Sequence, residues 1–221
     1  MKKSLLLALA VVSSAMLAVP ALASAQTAHI DSTSTFTVTG GASTLNETGG
    51  LTLTGTSIEG TGNFTSTTGG TLSLTFKGVT ESIFGTKCGS TGQGHAENSG
   101  VVTTTALTFH LIMLATNKPG ILITPNQGVF AHFKCLSIEK TVTGNGIIGT
   151  LTAPLCGESN STATLKFRKS SNGHQEHKLY TGVSYDLHTN SSGNPTASMD
   201  IPGDSIIHFP EARKLTCTHV A

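Results

Sequence analysis

Hydroxyl-bearing and apolar residues take turns along much of this chain, and that alternation confines it to extended structure. Thr35-Phe36-Thr37-Val38-Thr39, Leu51-Thr52-Leu53-Thr54 and Thr71-Leu72-Ser73-Leu74-Thr75-Phe76-Lys77 each send successive side chains to opposite faces. A strand with one face on a core and the other in water reads this way. Thr suits it twice over, because its branched Cβ favours the pleated backbone and its hydroxyl keeps the outer face wet. Further strands are expected at Val101–Met113, Gly120–Thr124, Val129–Ile138, Ile147–Leu151, Thr162–Arg168, Lys178–His188, Ser205–Phe209 and Lys214–His219. Gly40-Gly41, Gly49-Gly50 and Gly69-Gly70 punctuate the opening strands, and turns needing positive φ are expected there. No segment after the first 25 residues carries a 3.6-residue apolar stripe. The expected fold is all-β: an antiparallel sandwich of jelly-roll or immunoglobulin-like type, with a barrel as the alternative.

The first 25 residues differ. Lys2 and Lys3 precede an apolar stretch from Leu5 to Ala18, and Ala23-Ser24-Ala25 supplies small residues for cleavage. This pattern predicts a signal peptide over residues 1–25 and a mature chain from Gln26, a single β domain over 26–221. Secretion or release into the periplasm of a bacterial cell follows, since no later run reaches the ~20 apolar residues needed to cross a bilayer. Charged residues make up only 11% of the chain, against about 25% in ordinary globular proteins. Thr, Ser and Asn must therefore provide most of the wetted surface. The 13 basic and 12 acidic residues nearly balance, which argues against nucleic-acid and anionic-membrane partners, both of which call for a basic surface.

Cys88, Cys135, Cys156 and Cys217 are spaced too widely for a zinc knuckle or a redox C-x-x-C pair. In an exported chain they are expected to form two disulfides, for which three connectivities exist. Cys88–Cys135 with Cys156–Cys217 is favoured, because each bridge then closes a long loop.

Motifs for chemistry are sparse. Gly144-Asn145-Gly146-Ile147-Ile148-Gly149 has the spacing of a dinucleotide site, but Thr150-Leu151-Thr152-Ala153-Pro154 follows where a helix would have to begin, so a turn is expected. His174 and His177 with Glu176 between them lack the zincin spacing, and a metal there would need a third ligand such as His188 or Asp186. His110, His132 and His208 stand within apolar strand runs and read as hydrogen-bonded structural histidines. Asp200 and Asp204 bracket a Pro-Gly turn, which is ordinary turn chemistry. No nucleophile elbow or P-loop occurs. With no Trp and two Tyr, an aromatic sugar platform is disfavoured. The Asn-x-Ser/Thr triplets at Asn46, Asn63, Asn160 and Asn190 are coincidences of a Thr/Ser-rich text.

Thr61–Gly78 (TGNFTSTTGGTLSLTFKG) resembles a recurring segment of uncharacterised, secreted, Thr/Gly-rich β proteins of soil actinobacteria. Leu107-Thr108-Phe109-His110-Leu111 and Phe130-Ala131-His132-Phe133-Lys134-Cys135 resemble blocks of the same proteins, so the likeness spans the middle of the chain. Those relatives carry a further Cys pair flanking the hairpin. The matching places here are Thr54 and Val79, which implies the loss of one bridge. The resemblance implies secretion and β structure, and it brings no activity.

The chain is thus expected to be an exported, disulfide-stabilised, non-enzymatic protein without a cofactor. It would bind or assemble at the envelope or outside the cell, through strand edges or loops, with an unknown partner or with itself. Two alternatives make distinct structural demands. A metal-dependent hydrolase needs at least three of His110, His132, His174, His177, His188 and His208 to converge, and a small-ligand carrier needs a closed barrel with an apolar cavity.

Overall fold

The computed structural model describes residues 27–48, 50–170, 174–179, 182–190 and 196–218. The expected leader therefore lies outside the described residues. Strands run in chain order as β1 (Thr27–Ile30), β2 (Thr35–Gly40), β3 (Ser43–Glu47), β4 (Thr52–Gly55), β5 (Ser57–Ser66) and β6 (Gly69–Lys77). Next come β7 (Thr80–Glu81), β8 (Cys88–Gly89), β9 (Val101–Thr103), β10 (Leu107–Ala115), β11 (Lys118–Pro125) and β12 (Val129–Cys135). The last six are β13 (Ile138–Gly144), β14 (Ile147–Ala153), β15 (Ser159–Lys166), β16 (Leu187–Thr189), β17 (Thr196–Asp200) and β18 (Ser205–Thr218). Every pairing between them is antiparallel.

The larger sheet follows the order β18-β15-β14-β11-β10-β6-β5-β2 and returns to β18 through Ser205↔Gly40, Ile206↔Thr39, Ile207↔Val38 and His208↔Thr37. It is a closed barrel. β1 extends it from the far half of β18, and β9 continues along the end of β6. The smaller sheet follows the order β7-β4-β3-β17-β16-β13-β12-β8. It nearly closes as well, because the β7–β8 hairpin spans its open seam with a Thr80↔Lys87 bridge and a Cys88 N–H donated to the Val79 carbonyl (3.0 Å). The antiparallel all-β expectation holds, and the barrel alternative describes how the larger sheet disposes of its edges.

Alternation decides which side chains go inside. Phe36, Val38, Leu72 and Leu74 are all buried, while Thr35, Thr37 and Thr71 between them face out. One contiguous core runs through both sheets, from Ile30 and Phe109 in the larger barrel to Phe133 and Leu187 in the smaller. Phe109 meets Phe36 and Phe64 edge to face there, with Phe64 and Phe109 centroids 4.7 Å apart. Both favoured disulfides are present: Cys88–Cys135 joins β8 to β12, and Cys156–Cys217 joins the turn after β14 to β18.

Four expectations need correction. The run Val101–Met113 is two strands, because Thr104 leaves the sheet to hydrogen-bond Leu74 and Thr105 donates to the Phe130 carbonyl. Val129–Ile138 is a strand, a two-residue turn at Leu136-Ser137, and the start of the next strand. Of the described residues of Lys178–His188, only Leu187 and His188 are in a strand. Leu179 and Tyr185 instead lie over Ile112, Leu122 and Ile148, apolar residues on the outside of β10, β11 and β14 that need cover. Ser205–Phe209 and Lys214–His219 merge into β18, whose residues 209–212 lack registered partners, so Pro210 is tolerated there; His219 itself lies outside the described residues.

Gly69-Gly70 also has a different reason from the expected turn. Both residues lie in β6, and the turn falls at Thr67-Thr68. A Cβ at Gly70 would collide with the Asn63 carbonyl oxygen, and one at Gly69 with that of Phe109. A close approach, not a backbone angle, demands glycine. Gly70→Ala is therefore expected to cost about 3 kcal/mol, the scale of overpacking, in urea unfolding. A loss under about 1 kcal/mol would instead match an open turn site.

Candidate functional site

The residues singled out for chemistry are dispersed. His132 Nδ1 is hydrogen-bonded with Thr141 (3.1 Å), His208 Nε2 with Thr39 (3.0 Å) and His177 Nε2 with Thr150 (2.8 Å). His110 is exposed on β10, and His188 has a buried Nδ1. Only His174 meets one of the suggested third ligands, with Nδ1 3.2 Å from Asp186. Burial holds the His177 imidazole below its usual pKa, against the attraction of Glu176. Among the described residues, no three His, Cys, Asp or Glu side chains are grouped to hold a metal ion. Asp200 lies 3.7 Å from Arg168 and Asp204 3.2 Å from Lys166. Gly144-Asn145-Gly146 is the turn from β13 to β14, with Gly144 at φ +139°.

A different place stands out at the free end of the smaller barrel. Large apolar side chains are exposed there on two neighbouring hairpin tips: Ile83 (67%) and Phe84 (68%) on β7–β8, and Leu136 (57%) and Ile138 (55%) on β12–β13. Together with Leu51 they line a groove of about 450 Å³. Cys88–Cys135 ties the roots of both tips. Scattered exposed apolar residues are ordinary, whereas a contiguous group marks a contact surface.

Each tip is held rigidly. Glu81, 5% exposed, accepts N–H bonds from Ile83 (2.7 Å), Phe84 (2.8 Å) and Thr86 (3.0 Å), and the Thr86 hydroxyl at 2.9 Å. Burial pushes this carboxyl up, but the bonds from Thr86, Ile83 and Phe84 outweigh it and hold it below the usual carboxylate range. Three backbone donors on one carboxylate leave the loop little freedom, and Ile83 and Phe84 are presented to solvent as a result. At the other tip Leu136 and Ser137 adopt φ +47° and +63°, and the Ser137 N–H is donated to Glu97. Left-handed backbone costs a bulky residue about 1 kcal/mol. Here it turns an apolar side chain outward, and such strain gathers where function demands it.

The groove has a floor and a cavity beneath it. Glu47, Leu51, Glu81, Cys135 and Lys140 form the floor, with Lys140 Nζ 4.0 Å from Glu47 and the Glu47 carboxylate accepting the Leu51 N–H at 3.1 Å. Two residues along the same five chain segments come Leu45, Leu53, Val79, Phe133 and Val142, which line an apolar cavity of about 90 Å³. Side chains two apart on a strand share a face, so the cavity lies one layer below the groove, where the smaller barrel meets Leu74 and Leu107 of the larger sheet. The chain matches no family model, no curated protein and no solved structure.

None of the four exposed apolar residues was marked by sequence reasoning. Ile83-Phe84 ahead of Gly85 was a usable signal, being a bulky pair inside an otherwise polar loop. Leu136 carried none, because the strand-like text around it hid the turn.

Two measurements check this geometry. A carboxylate whose folded pKa is lowered adds stability above its unfolded value and loses it as pH falls through the folded one. Glu81→Gln is thus expected to cost about 2 kcal/mol at neutral pH. Urea unfolding should show that difference shrinking below about pH 4; a gap constant with pH contradicts the bracing role. Leu136→Asn with Ser137→Gly, the residues such a turn prefers, is expected to raise stability by about 1 kcal/mol. A lower melting temperature would contradict the strain.

Proposed function

We propose that this is an exported, non-enzymatic binding protein that meets its partner with the apolar end of the smaller barrel. The observation that carries the reading is the pair of braced tips with Ile83, Phe84, Leu136 and Ile138 exposed around one groove. Two disulfides fit an oxidising compartment outside the cytoplasm, and no helix among the described residues is long and apolar enough to cross a membrane. Barrel closure pairs the strands of the larger sheet on both sides, which favours contact through loops over strand addition at an edge. A rigid apolar anchor binds well because little freedom is lost on docking.

The partner is an apolar component of the envelope. In cells that export the chain, the wild type should stay with the envelope fraction. Ile83→Ser with Phe84→Ser and Leu136→Ser should weaken that association about tenfold, as loss of central apolar anchors does. Equal distribution of the wild type and a folded variant between envelope and medium overturns the reading.

A further inference from the structure

We infer that the smaller barrel is a site for a lipid-like molecule with a single aliphatic chain, its tail in the cavity and its polar head at the groove floor. This deepens, and rests on, the reading that the apolar end of this barrel is the binding end.

The lining of the cavity points to that ligand class. The cavity walls come from both sheets: Leu45, Phe133, Val142 and Met199 from the smaller, with Leu74 and Leu107 of the larger sheet and Val79 between β6 and β7 among the others. The hydroxyl of Thr104, which also lines it, is already engaged by the Leu74 N–H at 3.0 Å. An apolar hollow of this kind stays dry and accepts apolar guests without displacing ordered water. A polar or charged group would lose its hydration there without compensation.

Shape narrows the class further. The smaller sheet has eight strands, and a barrel of that size has an interior that side chains just fill or that holds one small ligand. A cavity of about 90 Å³ one layer below the groove admits something as thin as an alkyl chain and excludes a folded polypeptide surface. Across the layer of Glu47, Leu51, Glu81, Cys135 and Lys140 lies the groove of about 450 Å³, within the 300–1,000 Å³ range of ordinary ligand sites. The Glu47–Lys140 ion pair (4.0 Å) stands at the boundary, so the mouth is polar where the cavity is apolar. Polar above and apolar below is the order in an amphiphile. The exposed Ile83, Phe84, Leu136 and Ile138 around the mouth offer a dry path for a chain leaving an apolar phase.

The test uses the mature chain and displacement of the fluorescent probe 1-aminoanthracene by octanoate, dodecanoate and hexadecanoate and by the matching alcohols, with acetate as control. Affinity should rise with chain length by about fourfold per buried methylene, then level off when the tail fills the site. Acids binding more tightly than alcohols would assign the source as an anionic headgroup, and equal binding a neutral one; either supports the site. Val142→Phe, which fills the cavity, should weaken dodecanoate binding at least tenfold, and Leu45→Ala, which enlarges it, should strengthen binding of the longest chain. Melting curves for both variants establish that they fold, and Ala131→Leu replaces Val142→Phe if that variant does not. No displacement by any chain overturns the inference, as does equal binding by the wild type and a folded, cavity-filled variant. The envelope-retention measurement on the tip variants judges the broader reading separately, since it involves no added amphiphile.

Discussion

Four residue pairs close the larger sheet, Ser205 to His208 against Gly40 to Thr37, and the remaining architecture depends on them. They join chain segments near opposite ends of the protein, with Thr39 and His208 also hydrogen-bonded through their side chains. Closure gives backbone groups that would otherwise line a sheet edge their partners. A surface rich in Thr and poor in charge then does not invite edge-to-edge pairing. Such contacts are costly to form early, because the intervening loop must be closed before they stabilise anything.

The same seam couples the two sheets. β2 runs on into β3 and β17 into β18, and β3 pairs with β17 just beyond the point where β2 pairs with β18. One two-stranded ribbon therefore passes from the larger barrel into the smaller, with Gly41, Ala42 and Ile201–Asp204 at the crossing. Arg168 holds that crossing, donating to the carbonyls of Ile201 and Pro202 (3.3 Å) and lying 3.7 Å from Asp200. The smaller barrel inherits its position from this ribbon, and its other end, with the two tips, is left facing solvent. The core reaches the floor of that groove through Leu51 and Cys135.

The two tips are shaped differently, one by local hydrogen bonding and the other by a strained turn. Glu81 organises its loop by gathering backbone donors, while Leu136 is held in a conformation that a leucine avoids. The stabilising half could have been suspected from an acidic residue beside a short turn. The straining half could not, because a turn made by leucine and serine carries no glycine, asparagine or proline to announce it. Similarly, Gly69-Gly70 was legible as a constraint but not as the right one, since the oxygen atoms that exclude a side chain belong to Asn63 and Phe109, on the two strands that flank β6. The segment 178–186 misled in a third way: Leu179 and Tyr185 cover the outer face of the larger sheet instead of alternating within a strand.

What the amino-acid order determined alone was local and periodic. Phe36, Val38, Leu72 and Leu74 had to face one way and their threonines the other, because side chains on an extended chain alternate. The four cysteines had to pair at a distance, because no two are close enough for a compact metal or redox motif. Which sheet each strand joined, whether a sheet closed, and that Ile83 and Phe84 came to stand beside Leu136 and Ile138 over a hollow barrel were decided only in three dimensions. Those outcomes depend on contacts between residues far apart in the chain, and a period-two pattern is equally satisfied by any sheet that buries one face.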